Sequence, residues 1–142
     1  MKLLKVLLVA SILTFANAQL TRHSDNIVKD NKSNLLWQDS RDVKTKKVNY
    51  KEALAYCKNL TLDGQKGWMV PGFGELFTIV NFKRYNPTLS KEFKNFLPEN
   101  YWTTKVFSHG ISNEAFVVYF LSGAFNREKM DKKFFVRCYK KL

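Results

Sequence analysis

The chain has 142 residues, 24 Lys+Arg against 12 Asp+Glu, a formal net charge of +12, and two cysteines. That length holds one domain and excludes two; 45% apolar and 15% aromatic residues supply a packed core and exclude a disordered chain. So high a charge calls for an acidic partner (nucleic acid, an anionic membrane surface or a polyanionic glycan), and composition does not choose among the three.

Residues 1–18 read as a signal peptide rather than as part of the fold. Lys2 and Lys5 form a charged start, Val6 to Phe15 is an apolar run, and Ala16-Asn17-Ala18 has the small-x-small pattern of a cleavage site. A spanning helix needs about 20 apolar residues, so a retained short anchor is the weaker alternative. No Cys follows the run, which argues against a lipoprotein anchor. The mature chain is then residues 19–142, with 22 basic against 12 acidic side chains and a charge of +10. No later stretch has the length and apolarity of a membrane span.

Export makes nucleic acid the least fitting partner. It also places Cys57 and Cys138 in an oxidising compartment, where they are expected to pair. They are 81 positions apart, and closing a loop that long stabilises by roughly 4–5 kcal/mol in the chain-entropy model. The alternative, a reactive thiol, finds no CxxC motif and no adjacent His. Two cysteines with the scattered His23 and His109 do not make a zinc ligand set, so no metal or other cofactor is expected.

Taken in order, Gln19 to Asn26 is polar and reads as a loose, flexible N-terminus, with the domain running from 27 to 142. Ile27-Val28 starts a strand, Asp30 to Asn34 is rich in turn formers, and Leu35 to Gln38 is a second strand, so a hairpin is expected. Asp39 to Val48 reads as a charged loop. Asn49 opens the clearest helix, with Glu52 at capping-box spacing and Tyr50, Ala53, Leu54, Cys57 and Leu60 on one face. Gly64 stands just past its expected end. Gly67 to Pro71 has no helical period, and Glu75 to Val80 reads as a shorter helix with Glu75 in its first turn.

From Asn81 to Asn100, Pro87 and Pro98 break the chain into loop, with Phe93, Phe96 and Leu97 expected as a helical turn that pins it to the core. Tyr101 to Thr104 is β-branched and aromatic, and Ala115 to Leu121 is apolar on both faces, which places it centrally. Ser122-Gly123 marks a turn, Phe125 to Lys132 a charged excursion, and Phe134 to Tyr139 a closing strand. In that strand Phe134, Val136 and Cys138 share the expected core face, while Phe135, Arg137 and Tyr139 share the other. A strand pair, two helices, a long loop and three strands make an α+β plan with a small antiparallel sheet.

Five segments in this order resemble the Lcl C-terminal domain family: Asn31 to Gln38 with Trp37; Ala53 to Cys57 with Leu60; Gly67-Trp68-Met69-Val70-Pro71 followed by Gly74-Glu75-Leu76; Tyr101-Trp102-Thr103-Thr104; and Val136-Arg137-Cys138. Together they span about Ile27 to Tyr139. The resemblance implies a bacterial, exported domain, periplasmic or extracellular. It also implies a fold like that of C-type lectins and of the formylglycine-generating sulfatase-modifying proteins, in which a cysteine on the first helix bridges to one on the last strand. It further implies association with sulfated glycosaminoglycans, a property of the founding member, which ends a collagen-like adhesin. This chain has no Gly-x-y collagen segment. The Arg of the family's Gly-Trp-Arg-Leu-Pro motif is Met69 here, and Phe73 stands where a smaller or polar residue is usual.

Enzyme readings find little in the sequence. There is no Gly-x-Ser-x-Gly elbow and no HExxH. Ser108-His109 reads better as a solvated turn than as a nucleophile and base. Glu52 and Glu75 read as helix-start carboxylates. Pro98-Glu99-Asn100 has the wrong order for a calcium-lectin signature, and a calcium cage needs several convergent oxygens.

The basic residues remain. Lys44, Lys46 and Lys47, with Arg41 and Lys51, surround the first helix; Arg127, Lys129, Lys132, Lys133, Lys140 and Lys141 surround the last strand. Sulfate groups would pair with such cations through charge-assisted hydrogen bonds, although a merely solubilising surface has the same composition. Arg137 reads as structural beside Cys138, and Trp37, Trp68 and Trp102 as core rather than sugar platforms. The expectation is a non-catalytic exported module for a polyanionic glycan or an envelope partner. The alternatives are a periplasmic structural or assembly adaptor and, behind it, a sulfatase-modifying-type enzyme.

Overall fold

Turn chemistry sets the register at the N-terminal end. In a computed structural model, which describes residues 18–108 and 113–142, β2 (Ile27–Asp30) and β3 (Leu35–Gln38) pair antiparallel with Val28 opposite Trp37. Between them the buried Asp30 carboxylate accepts from the backbone N–H of Lys32 at 2.9 Å and of Ser33 at 3.2 Å, and from the Ser33 hydroxyl. Asn34 closes the turn at φ 57, a left-handed conformation that Asn tolerates. The expected hairpin is present. The signal peptide expected over 1–18 lies, up to residue 17, outside the described residues, as does His109.

Leu20–Ser24, read as part of a loose N-terminus, is a strand, β1, paired antiparallel to β2 with a bulge between Arg22 and Ser24. Its alternation is weak because Leu20 alone buries a large apolar side chain; the ladder rather than the side chains orders it. The charged loop 39–48 likewise contains one turn of helix, α1 (Asp42–Thr45), held by the buried Val43. In α2 (Tyr50–Asn59) the capping box is formed in full: Glu52 N donates to Asn49 Oδ1 and Asn49 N to Glu52 Oε2, both at 2.9 Å. Ala53 and Cys57 are buried, but Leu54 is 40% exposed, off the stripe expected for it. The shorter helix expected from Glu75, α3 (Phe73–Phe77), starts two residues earlier than expected and stops where Thr78 Oγ1 turns back onto Glu75 O at 2.7 Å.

The strands form two antiparallel sheets rather than one, ordered β1-β2-β3-β7 and β4-β5-β6. The second comprises β4 (Asn100–Phe107), β5 (Glu114–Tyr119) and β6 (Ala124–Lys129). β5 is central, as expected. β6 occupies the stretch read as a charged excursion: it is a mostly exposed edge strand, where charged side chains suit both solvent and the unpaired edge, so it lacks an apolar signature. Gly123, at φ 78, makes the β5–β6 turn, and a Cβ there would stand 2.7 Å from Phe82 Cε1.

The closing segment differs most from expectation. Only Tyr139–Lys141 is a regular strand, β7, beside β3. Residues 134–138 are extended but change partners: Phe134 bridges Val48, Phe135 bridges Tyr101, and Gln38 N donates to Cys138 O at 2.9 Å. Both faces bury. Val136 and Cys138 join a core with Ile27, Leu36, Ala53, Cys57, Trp68, Trp102 and Val117. Phe135 and Tyr139 join a second core with Val28, Trp37, Leu76, Ile79, Leu89, Phe93, Tyr101 and Phe120. The period-2 alternation is present, but each face has its own core. A Cys57–Cys138 disulfide, with Cα atoms 5.5 Å apart, ties α2 to this segment.

The loop 81–99 forms no helical turn, yet Phe93 is buried; Phe96 is half-buried and Leu97 38% exposed. Tyr101 pins the end of the loop: its hydroxyl accepts from Leu97 N at 3.0 Å and donates to Leu97 O at 3.1 Å.

Candidate functional site

Lys46 leaves α1 in extended conformation, and two residues on Val48 exchanges both backbone hydrogen bonds with Phe134 at 2.8 and 2.9 Å. That bridge brings Lys133 beside Lys46 and Lys47 across 86 positions of chain. The three line one groove of about 650 Å³, whose other wall is Ala55, Tyr56, Asn59, Leu60 and Thr61. The groove has one acid, Glu52, whose carboxylate already accepts from Asn49 N. Its volume lies in the range of small-ligand sites.

Tyr56 forms the rigid part of this groove. Its hydroxyl accepts from Gln38 Nε2 at 2.8 Å and donates to Asp42 Oδ2 at 3.0 Å. Burial pushes its phenol above the ordinary tyrosine value, so it stays neutral across the physiological range. Lys46 Nζ lies 4.6 Å from its ring centroid, a cation–π contact that steadies a side chain otherwise free in water. Lys47 Nζ lies 5.1 Å over the Phe135 ring; three lysines lining one polar and apolar groove can hold an anion by charge-assisted hydrogen bonds.

The other predicted cations lie elsewhere. Lys44 is half-buried on α1 and does not line the groove. On and beyond β6, Arg127 stacks over Phe107 at 4.1 Å and lies 3.9 Å from Glu114, and Lys132 Nζ pairs with Glu128 at 2.6 Å; Lys129 is exposed. On β7, Lys140 Nζ donates to Gln65 Oε1 at 3.0 Å and Lys141 is exposed. The nine candidates therefore fall in four places, and only three of them share a groove.

The motif residues hold the frame. Trp37, Trp68 and Trp102 are all buried and offer no ring face to a sugar. Trp102 Nε1 donates to Val48 O at 2.8 Å, which fixes the backbone beneath Lys47, and Trp68 Nε1 donates to Gln65 O at 2.9 Å. Gly67 sits at φ 85, a backbone conformation that L side chains rarely adopt. Buried Pro71 accepts from Thr104 N at 2.8 Å, Leu76 is fully buried, and Glu75 Oε1 accepts from Tyr139 Oη at 3.4 Å. Met69, where the family has Arg, is 43% exposed and contributes through its backbone, paired both ways with Tyr139.

Two constellations escaped the sequence reading. The first surrounds Asp39, fully buried at the end of β3. Its carboxylate meets Arg22 Nη2 at 2.6 Å and Arg137 Nη1 at 3.2 Å, and accepts from Lys94 N and Asn95 N at 2.9 and 3.0 Å. Arg137, 1% exposed, also donates to Gln38 O and Asn95 O at 2.6 Å and lies 4.6 Å over Phe93. Desolvation pulls its pKa down while Asp39 and Tyr101 oppose that pull. Arg137 thus lies buried against Asp39, and the signal for that partner is an Asp directly after an apolar strand.

The second is an aromatic face. Phe73 lies 5.8 Å from Phe77, 5.2 Å from Phe116 and 5.3 Å from Phe125; Phe77 lies 6.2 Å from Phe82. These rings come from α3, the loop after it, β5 and β6, so no periodicity within one element reveals them.

Across the described residues, no helix is long and apolar enough to cross a membrane. The Lcl C-terminal domain family matches residues 26–140, the span that carries the disulfide, Arg137 and the groove, and no curated protein matches the chain. The chain belongs to the Lcl C-terminal domain family.

Proposed function

We propose that the chain is an exported, non-catalytic binding module that holds a sulfated or otherwise polyanionic glycan in the groove of Lys46, Lys47 and Lys133. The observation that carries this reading is the convergence of three lysines from distant parts of the chain on one groove with a single, already engaged carboxylate. Asn59 and Thr61 add polar groups for sugar hydroxyls. A signal peptide over residues 1–18, and with it a periplasmic or extracellular location, fits the disulfide. The fold reading is C-type-lectin-like: the last strand returns beside the first hairpin, and a disulfide joins the first long helix to the closing segment. With both cysteine sulfurs bonded to each other, thiol chemistry of the sulfatase-modifying kind has no free sulfur to begin from.

Heparin-affinity chromatography beside a sulfonate cation exchanger tests this. Elution from heparin at higher salt than from the exchanger supports a built site; equal or lower salt sinks it. Lys46→Glu with Lys133→Glu should remove the excess.

A further inference from the structure

The segment Phe82-Lys83-Arg84-Tyr85 combines two features that seldom share an exposed loop. Phe82 and Tyr85 are 70% and 72% exposed, and the two cations between them are exposed as well. Phe82 is nevertheless fixed from below: its ring stacks on Phe77 at 6.2 Å, and the tight approach of Gly123 leaves it room. Phe125, 59% exposed, extends the apolar surface across to β6. Large exposed aromatic surface rimmed by cations marks a docking face.

We propose that this face docks on an anionic phospholipid bilayer, with Phe82, Tyr85 and Phe125 seated at the headgroup level and Lys83 and Arg84 against the lipid phosphates. Charge complementarity is the first argument. Aromatic rings favour the membrane interface, and adjacent Lys and Arg are drawn to an anionic leaflet. The entry of the chain is the second. Ala18, whose carbonyl accepts from Asn31 Nδ2 at 2.9 Å, lines the same recess as Phe82 and Lys83, together with Leu20, Val80 and Glu92. The apolar run Val6 to Phe15 stands just upstream in sequence, so before cleavage, while a membrane holds this run, the recess with Phe82 and Lys83 is the part of the domain nearest to it. The face is separate from the lysine groove, and shares no lining residue with it.

Flotation with phospholipid vesicles tests this, using the chain from Ala18 to Leu142, which holds every strand, helix and core residue described above. Binding is expected to phosphatidylcholine–phosphatidylglycerol vesicles and not to phosphatidylcholine alone. Phe82→Ser with Tyr85→Ser, which leaves the charge unchanged, should weaken binding roughly tenfold or more. Lys83→Ser with Arg84→Ser should do the same through charge, and these exposed positions keep the test open if the aromatic variant unfolds. Absence of binding to anionic vesicles, equal binding to neutral ones, or undiminished binding by the Lys83/Arg84 variant overturns the proposal. Heparin elution of the same variants separates the two sites: the aromatic variant should keep the excess retention over the cation exchanger, whereas the Lys46/Lys133 variant should not.

Discussion

Arg137 and Phe82 exchange the places that their chemistry would assign. The seam around residues 134–139 buries a guanidinium and a carboxylate, while the face around 82–85 exposes phenyl rings. Burial of a charge is tolerated only when it is paired and hydrogen-bonded; at the seam Asp39 has two guanidinium partners and two backbone donors. That cluster ties β1, the end of β3, the 92–95 loop and the closing segment together without a regular ladder. At the aromatic face nothing comparable is gained within the chain, since each exposed ring keeps much of its surface in water. The seam is thus accounted for by the fold, and the aromatic face calls for a partner.

If that contrast holds, variants at the seam should cost stability and variants at the face should not. The largest effect is expected from Cys57→Ala with Cys138→Ala. Removing this 81-residue cross-link should lower unfolding free energy by roughly 4–5 kcal/mol, read from denaturant titration under oxidising conditions. An unchanged midpoint would show that the clamp does not carry the seam.

Arg137→Met follows, at about 3–5 kcal/mol, because it leaves the Asp39 charge buried with one partner fewer. Adding Asp39→Leu should recover little, since Arg22, Lys94 N and Asn95 N then lose their acceptor as well. Full recovery would mean that the cluster is merely tolerated.

A pH series sharpens the picture at Tyr56. Its folded pKa is raised above the ordinary value of 10.0, chiefly by desolvation; Tyr101, Tyr50 and Tyr139 shift the same way for the same reason. Below pH 10 both states hold the proton and the contribution is constant. Above it the unfolded chain ionises first, so stability should fall as pH rises past about 10. Melting curves from pH 8 to about 11 should show this decline, and Tyr56→Phe should make it shallower.

Smallest of all should be Phe125→Ser, under about 1 kcal/mol, since its ring is mostly exposed and its contacts are aromatic edges. A loss of several kcal/mol would place this face among the core elements and remove the need for a partner.

Much of the frame was legible in the sequence. The Asp30 turn, the Asn49–Glu52 capping box, the central β5 and the burial of Cys57 rest on contacts a few residues apart or on a continuous apolar run, and such signals survive without tertiary context. β1, α1 and β6 were missed because their stability comes from a ladder or a single buried side chain, not from a periodic apolar face. Leu54 was misplaced because α2 packs through a stripe narrower than its apolar residues.

The sites were read less well for the same reason. Charge counts located the basic segments, but whether a lysine is free or engaged depends on neighbours far off in the chain. Lys132 meets Glu128 and Lys140 meets Gln65, whereas Lys46 and Lys47 lie over the rings of Tyr56 and Phe135 and the Val48–Phe134 bridge brings Lys133 beside them. By itself the sequence determined the family, the disulfide partners, the helix cap and the alternation of the closing segment, all of which are local or forced by scarcity: with two cysteines there is one pairing. Only the tertiary structure decided that both faces of residues 134–139 are interior, that Arg137 faces Asp39, and that rings from α3, the 81–88 loop, β5 and β6 form one cluster whose outer members, Phe82 and Phe125, are exposed. Those outcomes depend on which segments cross in space, and neither residue type nor spacing along the chain carries that information.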